Sequence, residues 1–465
     1  MCSLIPVTRF LETRVIETLY TGIVSKKAKI ILNNLVRIRI SYSDYVCLSL
    51  LQERLLMKVP IFIKRLNLLR YKQKFYKMTL SAALYTDCKN LEQAIAEISN
   101  QVTKKFQNIA PDVLIIFAAP NYDHIALLKE LQKSIAPKII VGCSSAGEFT
   151  STSVGTDSIS GIALHSTEMQ FFASIGRGII SSRDQVVEDL LTGMKGKDHF
   201  QYKYHTAMIL ADALSGYTDE IIEKLTFSTA GTYQFFGGGA GDNAEFLKTT
   251  VFFGTEVVPD AVVMLEILSN KPVGLAVSHG WVKGSQHYRV TEVTGAKVIS
   301  LNAMPAVEVF EDYASQTNQH FDQANPIPFF LHNIIGIKTN QGYKLRVPLK
   351  INKDGSITCA SDIPLGSLIS IMSIRPDGSK SAAESATKMA MEQLNGHKAN
   401  IGLFFDCVAT RLRLGSDFNY ELEAVKDAFK NTDYVGCNTH GQVARMAGQF
   451  SGFHNCSAVV CVIPE

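Results

Sequence analysis

Three segments of this chain repeat one pattern, and that repetition limits what it can fold into more than any other feature. The first opens with Val113-Leu114-Ile115-Ile116-Phe117 and continues through an Ala-Pro-Asn loop and a helical stretch near 125–134. It then reads Ile139-Ile140-Val141-Gly142-Cys143-Ser144-Ser145-Ala146-Gly147-Glu148 and closes on a strand near 160–164. The second runs from Ala207-Met208-Ile209-Leu210 through a helix near 219–225 to Phe235-Phe236-Gly237-Gly238-Gly239-Ala240-Gly241-Asp242, and closes on Ala261-Val262-Val263-Met264-Leu265. The third starts Ile401-Gly402-Leu403-Phe404-Phe405 and has a helix near 421–429. It turns at Tyr434-Val435-Gly436-Cys437-Asn438-Thr439-His440-Gly441-Gln442 and closes on Ala458-Val459-Val460-Cys461-Val462.

Each unit reads strand, loop, helix, strand, glycine turn, strand. Apolar runs of four or five residues, rich in β-branched and aromatic types, suit strands buried on both faces. The expected class is therefore α/β (α+β): two packed domains of these repeated units, with mixed sheets and helices outside. Glycine is needed where a chain leaves a strand with positive φ or where a ligand approaches the backbone closely. Gly147, Gly241 and Gly441 are thus expected to line a shared or symmetry-related pocket at the domain junction. Further strand signals fall at 273–281, a turn at Asp354-Gly355, and a helix at 382–394.

A chain of 465 residues suits two or three domains, and 46% apolar residues against 19% charged excludes global disorder. The net charge of +3 hides an asymmetry, because residues 1–77 hold 15 Lys and Arg against 4 Asp and Glu. The division is a basic extension at 1–77, then domains at 78–300 and 301–465. The extension reads either as a membrane-surface arm or targeting peptide, or as an over-extended start with Met78 the true initiator and 1–77 dispensable. Its removal leaves a mildly acidic body, unlike a nucleic-acid binder. Nine scattered cysteines without a CxxC pair argue against a zinc site and a disulfide scaffold. With no secretory signal they point to a reducing cytoplasm.

The glycine turns narrow the chemistry. Gly142 to Gly147 has P-loop spacing, but Glu148 and Phe149 stand where that motif needs Lys and Ser or Thr. A carboxylate there repels phosphate. The nucleophile elbow G-x-S-x-G fails around Ser144, since Ala146 replaces its second glycine. Cys143 and Cys437 occupy equivalent positions without an adjacent base, so buried inert thiols are expected. A small polar ligand fits better. Backbone N–H groups of the turns could hold a carboxylate, with Glu148, Asp212, Ser215 and Asp242 holding an ammonium or hydroxyl. Against this stands the ordinary use of Asp, Ser and Asn to cap helices and tie turns.

Taken together, several segments resemble the FIST family (F-box and intracellular signal transduction). They are Gly142-Cys-Ser-Ser-Ala-Gly-Glu148, Asp212-Ala-Leu-Ser-Gly216, Gly237-Gly-Gly-Ala-Gly-Asp242 and Ser278-His-Gly-Trp281. In the C-terminal half they are Arg346-Val-Pro-Leu349, Phe405-Asp-Cys-Val408 with Arg411 and Gly415, the turn Gly436 to Gln442, and His454-Asn-Cys-Ser457. The resemblance spans about 79–465 and implies paired N- and C-terminal FIST domains that sense a small ligand in signal transduction. The ligand-binding candidates are Gly142, Cys143, Ser144, Gly147, Glu148, Asp212, Ser215, Gly238, Gly241, Asp242, Arg411 and Gly441. The pattern departs at Thr439-His440-Gly441-Gln442, which lacks the usual acid, and at Ala213.

With no F-box signature and no attached kinase, cyclase or receiver domain, the chain resembles the haem-containing nitric-oxide sensors of the family. That resemblance implies non-covalent haem b and a partner histidine kinase. The axial-ligand candidates are His279, His440 and His454; the absence of CxxCH excludes covalent attachment. The rival expectations are a sensor of an amino acid or other small metabolite, an enzyme using Cys143 or Glu148, and a scaffold without ligand. Homo-oligomerisation stays open.

Overall fold

The computed structural model describes residues 78–107, 109–340, 342–446 and 452–465. The basic extension, and the expectation that translation begins at Met78, lie outside the described residues.

The fold is mixed α/β, and each copy is larger than its apolar runs suggest. In the first, an edge strand Thr79–Thr86 leads into the helix Leu91–Phe106. The first strand Val113–Ala118 and second strand Ile139–Ser144 flank the helix His124–Ile135, and Ile159–Ser166 closes the unit. Across the sheet the order is edge, closing, first, second; the first and second strands are parallel and the other pairs antiparallel. The second copy repeats this with Gln170–Arg177, Arg183–Gly193, Tyr204–Ala211, Thr218–Ser228, Gln234–Gly239 and Ala261–Ser269. The third uses Gly274–Ser278, Gly378–Glu392, Ala399–Cys407, Phe418–Phe429, Tyr434–Thr439 and Ala458–Pro464. Between its edge strand and its first helix lies an insert, a nine-stranded sheet running from Trp281–Lys283 to Leu368–Ile374. The third sheet thus draws strands from both sides of residue 300.

Local sequence explains these elements. In Leu91–Phe106 the buried residues Ala94, Ile98, Val102 and Phe106 recur every four positions, so one stripe faces the sheet. The Asn90 side chain accepts from Gln93 N–H at the start, while Lys104 and Lys105 sit in the last turn. The edge strands carry no such uniform run. Gln170–Arg177 is exposed at its two ends and mostly half-buried between them, with Ser174 and Gly176 interrupting its apolar residues. In the first two copies the apolar runs therefore mark the unit only from its first strand onward.

The edge beyond each second strand is filled by a hairpin from another copy. Val251–Phe253 and Glu256–Val258, from the second copy, pair along Ile139–Ser144 of the first. Glu148–Thr150 and Val154–Gly155, from the first, pair along Tyr434–Thr439 of the third. Gln442–Arg445 and Gly452–His454, from the third, pair along Gln234–Gly239 of the second. The exchange is cyclic. The three sheets turn their inner faces to one common core, where Phe117, Phe236 and Phe405 meet, and each keeps its helices outside. The insert has a separate core around Phe310, Phe330 and Ile371. It is tied to the ring through Asp219, which accepts from Lys344 Nζ at 2.8 Å, Arg346 Nη2 at 2.9 Å and Phe453 N at 3.0 Å.

One glycine per copy lets its two parallel strands pack closely. Gly142, Gly237 and Gly436 sit opposite Ile116, Ile209 and Phe404 on the parallel first strands. A Cβ there would lie 1.9, 2.0 and 2.1 Å from those residues' carbonyl oxygens. At Gly436 it would also lie 2.2 Å from the ring of Phe149, the donated residue paired with it. Gly436→Ala should therefore cost about 1–3 kcal/mol or more, the range for overpacking a core. Urea denaturation of wild type and variant measures it; an unchanged midpoint would mean that the hairpin is not held there.

Candidate functional site

The three glycine turns do converge, and they bind one another. Gly241 N donates to Ser144 O at 2.8 Å, joining the second copy to the first. Ala146 N donates to Asn438 O at 2.9 Å, and Asn438 N to Gly147 O at 2.7 Å, joining the first to the third. Gly239 N donates to Gly441 O at 2.8 Å and His440 N to Gly239 O at 3.1 Å, joining the third to the second. These N–H groups are spent within the protein, so they do not form the anion nest expected from the sequence.

The register also moves one equivalence. Counting from Gly142, Gly237 and Gly436, the position of Gly147 and Gly441 is held in the second copy by Asp242, not by Gly241. Gly147 and Gly441 have φ of 140° and 109°, whereas Gly241 is not among the positive-φ glycines. A longer loop between Gly239 and Val251 delays the second hairpin.

Several candidate residues tie turns. Asp242 accepts from the backbone N–H of Phe246, Leu247 and Lys248 at 3.0, 2.7 and 2.9 Å. Asp212 accepts from Leu214 N, from Asp260 N and from the Thr249 hydroxyl. Ser144 accepts from Thr250 N at 3.0 Å. Ser215 lies half-buried in the 3-10 turn Ala213–Ser215, and Gly238 faces Gln442 across the donated hairpin. Cys143 and Cys437 are buried in the central core with their thiols against each other, out of reach of substrate.

Glu148 and Arg411 come together at the junction of the first and third copies. Glu148 is fully buried; it accepts from Ser145 Oγ at 2.5 Å, Ser158 Oγ at 2.8 Å and Ser158 N at 3.1 Å. Burial pushes its carboxyl up to about 7, against those hydrogen bonds and the nearby Arg411 charge. Gln442 is its counterpart in the third copy, donating to Thr439 Oγ1 and accepting from Ser457 N. Arg411 donates to Ala146 O at 2.9 Å and lies over Gly147, where a Cβ would stand 1.7 Å from its Nη1.

Beside this pair is a cluster that the sequence reading left unassigned. Asp406 and Asn438 stand side by side at the carboxyl ends of the parallel strands, with Asn438 Nδ2 donating to Asp406 Oδ2 at 3.3 Å. In open α/β sheets that end is where ligands sit. A short helix, Val408–Leu414, follows Asp406 in this copy alone and supplies Arg411 and Arg413. Asp406 and Glu421 are both buried, and burial raises both carboxyls; their mutual repulsion adds to it at Asp406, while Arg413 opposes it. Asn438 Oδ1 and Glu421 Oε2 are buried without a hydrogen-bond partner. The signal was present in the sequence: an acid and an amide ending two otherwise apolar strand runs.

The three candidate axial histidines sit in different surroundings. His440 is buried and makes no side-chain hydrogen bond, and burial lowers its basicity, which suits a neutral ligand. Its ring, however, stacks on Phe246 at 4.5 Å, and Nε2 faces Asp242 Oδ1 at 3.4 Å. His454 lies within the charges of Lys344, Arg346 and Asp219, and His279 neighbours it. A cavity of about 150 Å³ beside Tyr288 and Tyr313, and a groove of about 500 Å³ between Arg183–Gly193 and Thr218–Ser228, touch none of them.

Glu148 predicts a pH dependence. Its native carboxyl titrates near 7 against an ordinary 4.5, so the folded state holds the proton more tightly. The resulting stabilisation is complete below about 4.5 and is lost as pH rises through 7, up to roughly 3 kcal/mol. Glu148→Gln, which mimics the protonated acid, should therefore gain on wild type between pH 5 and pH 8 in urea denaturation. A constant gap would mean that Glu148 ionises normally.

The FIST N domain family model matches residues 112–304, and the FIST C domain model matches 306–445. No curated protein sequence matches the chain. Among solved structures, Thermotoga maritima PurL complexed with ATP shares 9% identity at a TM-score of 0.20, covering 83% of this chain and 71% of that one. Phosphoribosylformylglycinamidine synthase II from the same organism shares 10% at a TM-score of 0.18, covering 83% and 72%. Likeness at that level supports no inference. No helix among the described residues is long and apolar enough to cross a membrane.

Proposed function

The chain belongs to the FIST family, whose domains are associated with sensing small ligands in signal transduction, and from that premise we propose that it binds a small polar metabolite where the first and third copies meet. One observation carries the proposal. Asn438 Oδ1 and Glu421 Oε2 are buried acceptors without donors, an arrangement that ordinarily costs about 1–3 kcal/mol for each group. They flank Asp406, with the Arg411 and Arg413 guanidiniums close by. A ligand with an ammonium or hydroxyl donor would meet the acceptors, and a carboxylate on it would meet a guanidinium. An amino acid or a similar zwitterion has both.

A sensor accounts for these residues better than an enzyme. Cys143 has no base beside it and no route to solvent, and Glu148 is held by serines as Gln442 is held by Thr439 and Ser457. Neither is placed to attack or to move a proton on a substrate. The receiver of the signal would be a partner protein. The haem and nitric-oxide version, with a histidine kinase as receiver, has only the unbonded ring of His440 in its favour.

Thermal unfolding in the presence of each of the twenty amino acids tests the first reading. A ligand at a hundred times its Kd stabilises by about 2.7 kcal/mol, a rise of several degrees. Arg411→Ala should abolish the rise, and Gly147→Ala should weaken binding by more than its own loss of stability explains. A panel without effect, or a rise that survives Arg411→Ala, would remove the amino-acid reading. Haem reconstitution tests the other: a protein that stays colourless removes it, while a Soret band lost in His440→Ala would favour it.

A further inference from the structure

A second chemistry lies a few residues from the proposed ligand site and uses neither Glu148 nor Arg411. Cys407 ends the first strand of the third copy, and Cys456 stands just before the closing strand of the same sheet. The two thiols are buried and in hydrogen-bond contact. The Cys407 sulfur also receives the backbone N–H groups of Cys456 and Ala409 and the Gln442 side chain. Cys456 holds a positive φ of 51°, a conformation that side-chain-bearing residues seldom adopt. That conformation is imposed where its N–H and thiol converge on one sulfur atom.

The ring contains an internal comparison. Cys143 and Cys437 also touch through their thiols, but they sit in the common core among Phe117, Phe236 and Phe405. Burial, with the neighbouring thiol, raises the Cys437 thiol well above its usual range. Around Cys407 the balance is reversed. The Cys456 thiol bond, opposed by burial and helped by the two N–H donors and Gln442, brings the Cys407 thiol down to about 6. Thiolate character, not proximity alone, decides which cysteines react. The acids nearby, Asp406 and Glu421, are held toward their neutral forms by burial, and Arg413 adds positive charge.

We propose that Cys407 and Cys456 form a peroxide-oxidisable dithiol, with Cys407 the attacking thiolate and Cys456 the resolving thiol. The Cys407 thiolate attacks one oxygen of hydrogen peroxide, breaking the O–O bond; sulfenic acid forms and the released hydroxide takes up a proton as water. The Cys456 sulfur then displaces the sulfenic oxygen as a second water, leaving a disulfide. Two thiols lose two electrons, and one peroxide gains them. Both thiols are buried, so the oxidant proposed is the small, uncharged hydrogen peroxide. The bond would tie the start of Val408–Leu414 to the closing strand of the third sheet.

The test uses the full chain, reduced, freed of reductant and exposed to hydrogen peroxide, then unfolded in excess iodoacetamide and digested. The expected result is a peptide pair linked through Cys407 and Cys456, with Cys143 and Cys437 recovered fully alkylated. Cys456→Ser should leave Cys407 carrying added oxygen with no link, and Cys407→Ser should leave Cys456 as a free thiol. Recovery of both cysteines alkylated after half-exposed Cys88 has oxidised would overturn the proposal. So would oxidation of Cys143 and Cys437 at the same rate, because proximity alone would then suffice. Retention of the linked pair in a chain that circular dichroism shows to be unfolded before peroxide is added would also count against it.

Discussion

Everything in this ring depends on hairpins given away. A second strand left bare would present a row of unpaired N–H and C=O groups beside an apolar face, the arrangement that drives strands to aggregate. Here each such edge is filled by the next copy, and the edge of the last is filled by the first. No single copy can complete its own sheet. The common core follows from the same exchange, since three sheets joined edge to hairpin must turn their inner faces toward one axis. Gly142, Gly237 and Gly436 keep clear of the carbonyl on the strand behind them, and at Gly142 and Gly436 a Cβ would also crowd the donated Phe252 and Phe149.

Within that symmetry, one tie recurs in varied chemistry. Glu148 links Ser145 to Ser158; Gln442 links Thr439 to Ser457; Asp212 links Thr249 to the backbone N–H of Asp260. In each copy a side chain bonds to the residue just before the closing strand. A neutral amide serves as well as an acid, which agrees with burial holding the Glu148 carboxyl toward its protonated form. What is not repeated is the short cationic helix after Asp406, the insert after Ser278, and the unpaired acceptors of Asn438 and Glu421. Repeats supply the frame, and the departures from repetition supply the chemistry.

The sequence carried the frame well where the signal was a continuous apolar run. The strands at 113–118, 204–211 and 399–407 and the glycine turns after them are visible as soon as the three copies are set side by side. The edge strands and first helices of the first two copies were not visible, because Gln170–Arg177 has no continuous apolar run. Those of the third were read as a strand signal at 273–281 and a helix at 382–394, but 281–374 separates them from the rest of the copy. The exchange of hairpins was beyond reach, since Glu148–Thr150 is three residues long and nothing local says which edge it joins. The site was half legible. Glu148 and Arg411 were named and lie within electrostatic reach of each other, while Asp406, Glu421 and Asn438 look in sequence like ordinary strand ends and a helix face. Gly241 was misaligned because glycine spacing imitated an equivalence that only strand register could settle.

On the proposed reading, the stiffness of the core decides where a signal can go. Three close-packed sheets sharing Phe117, Phe236 and Phe405 have little room to move without opening voids. A ligand that draws Arg411 from Ala146 O therefore shifts what lies outside the ring. Arg411 stands on Val408–Leu414, and two residues on, Arg413 bonds Ser379 on the helix Gly378–Glu392 and lies 6.0 Å over the ring of Trp281 at the start of the insert. The same helix begins at Cys407. The short element present in only one copy thus touches the ligand junction, the thiol pair and the insert together. The insert is held to the ring elsewhere by Lys344 and Arg346 on Asp219, a charged contact at a second point.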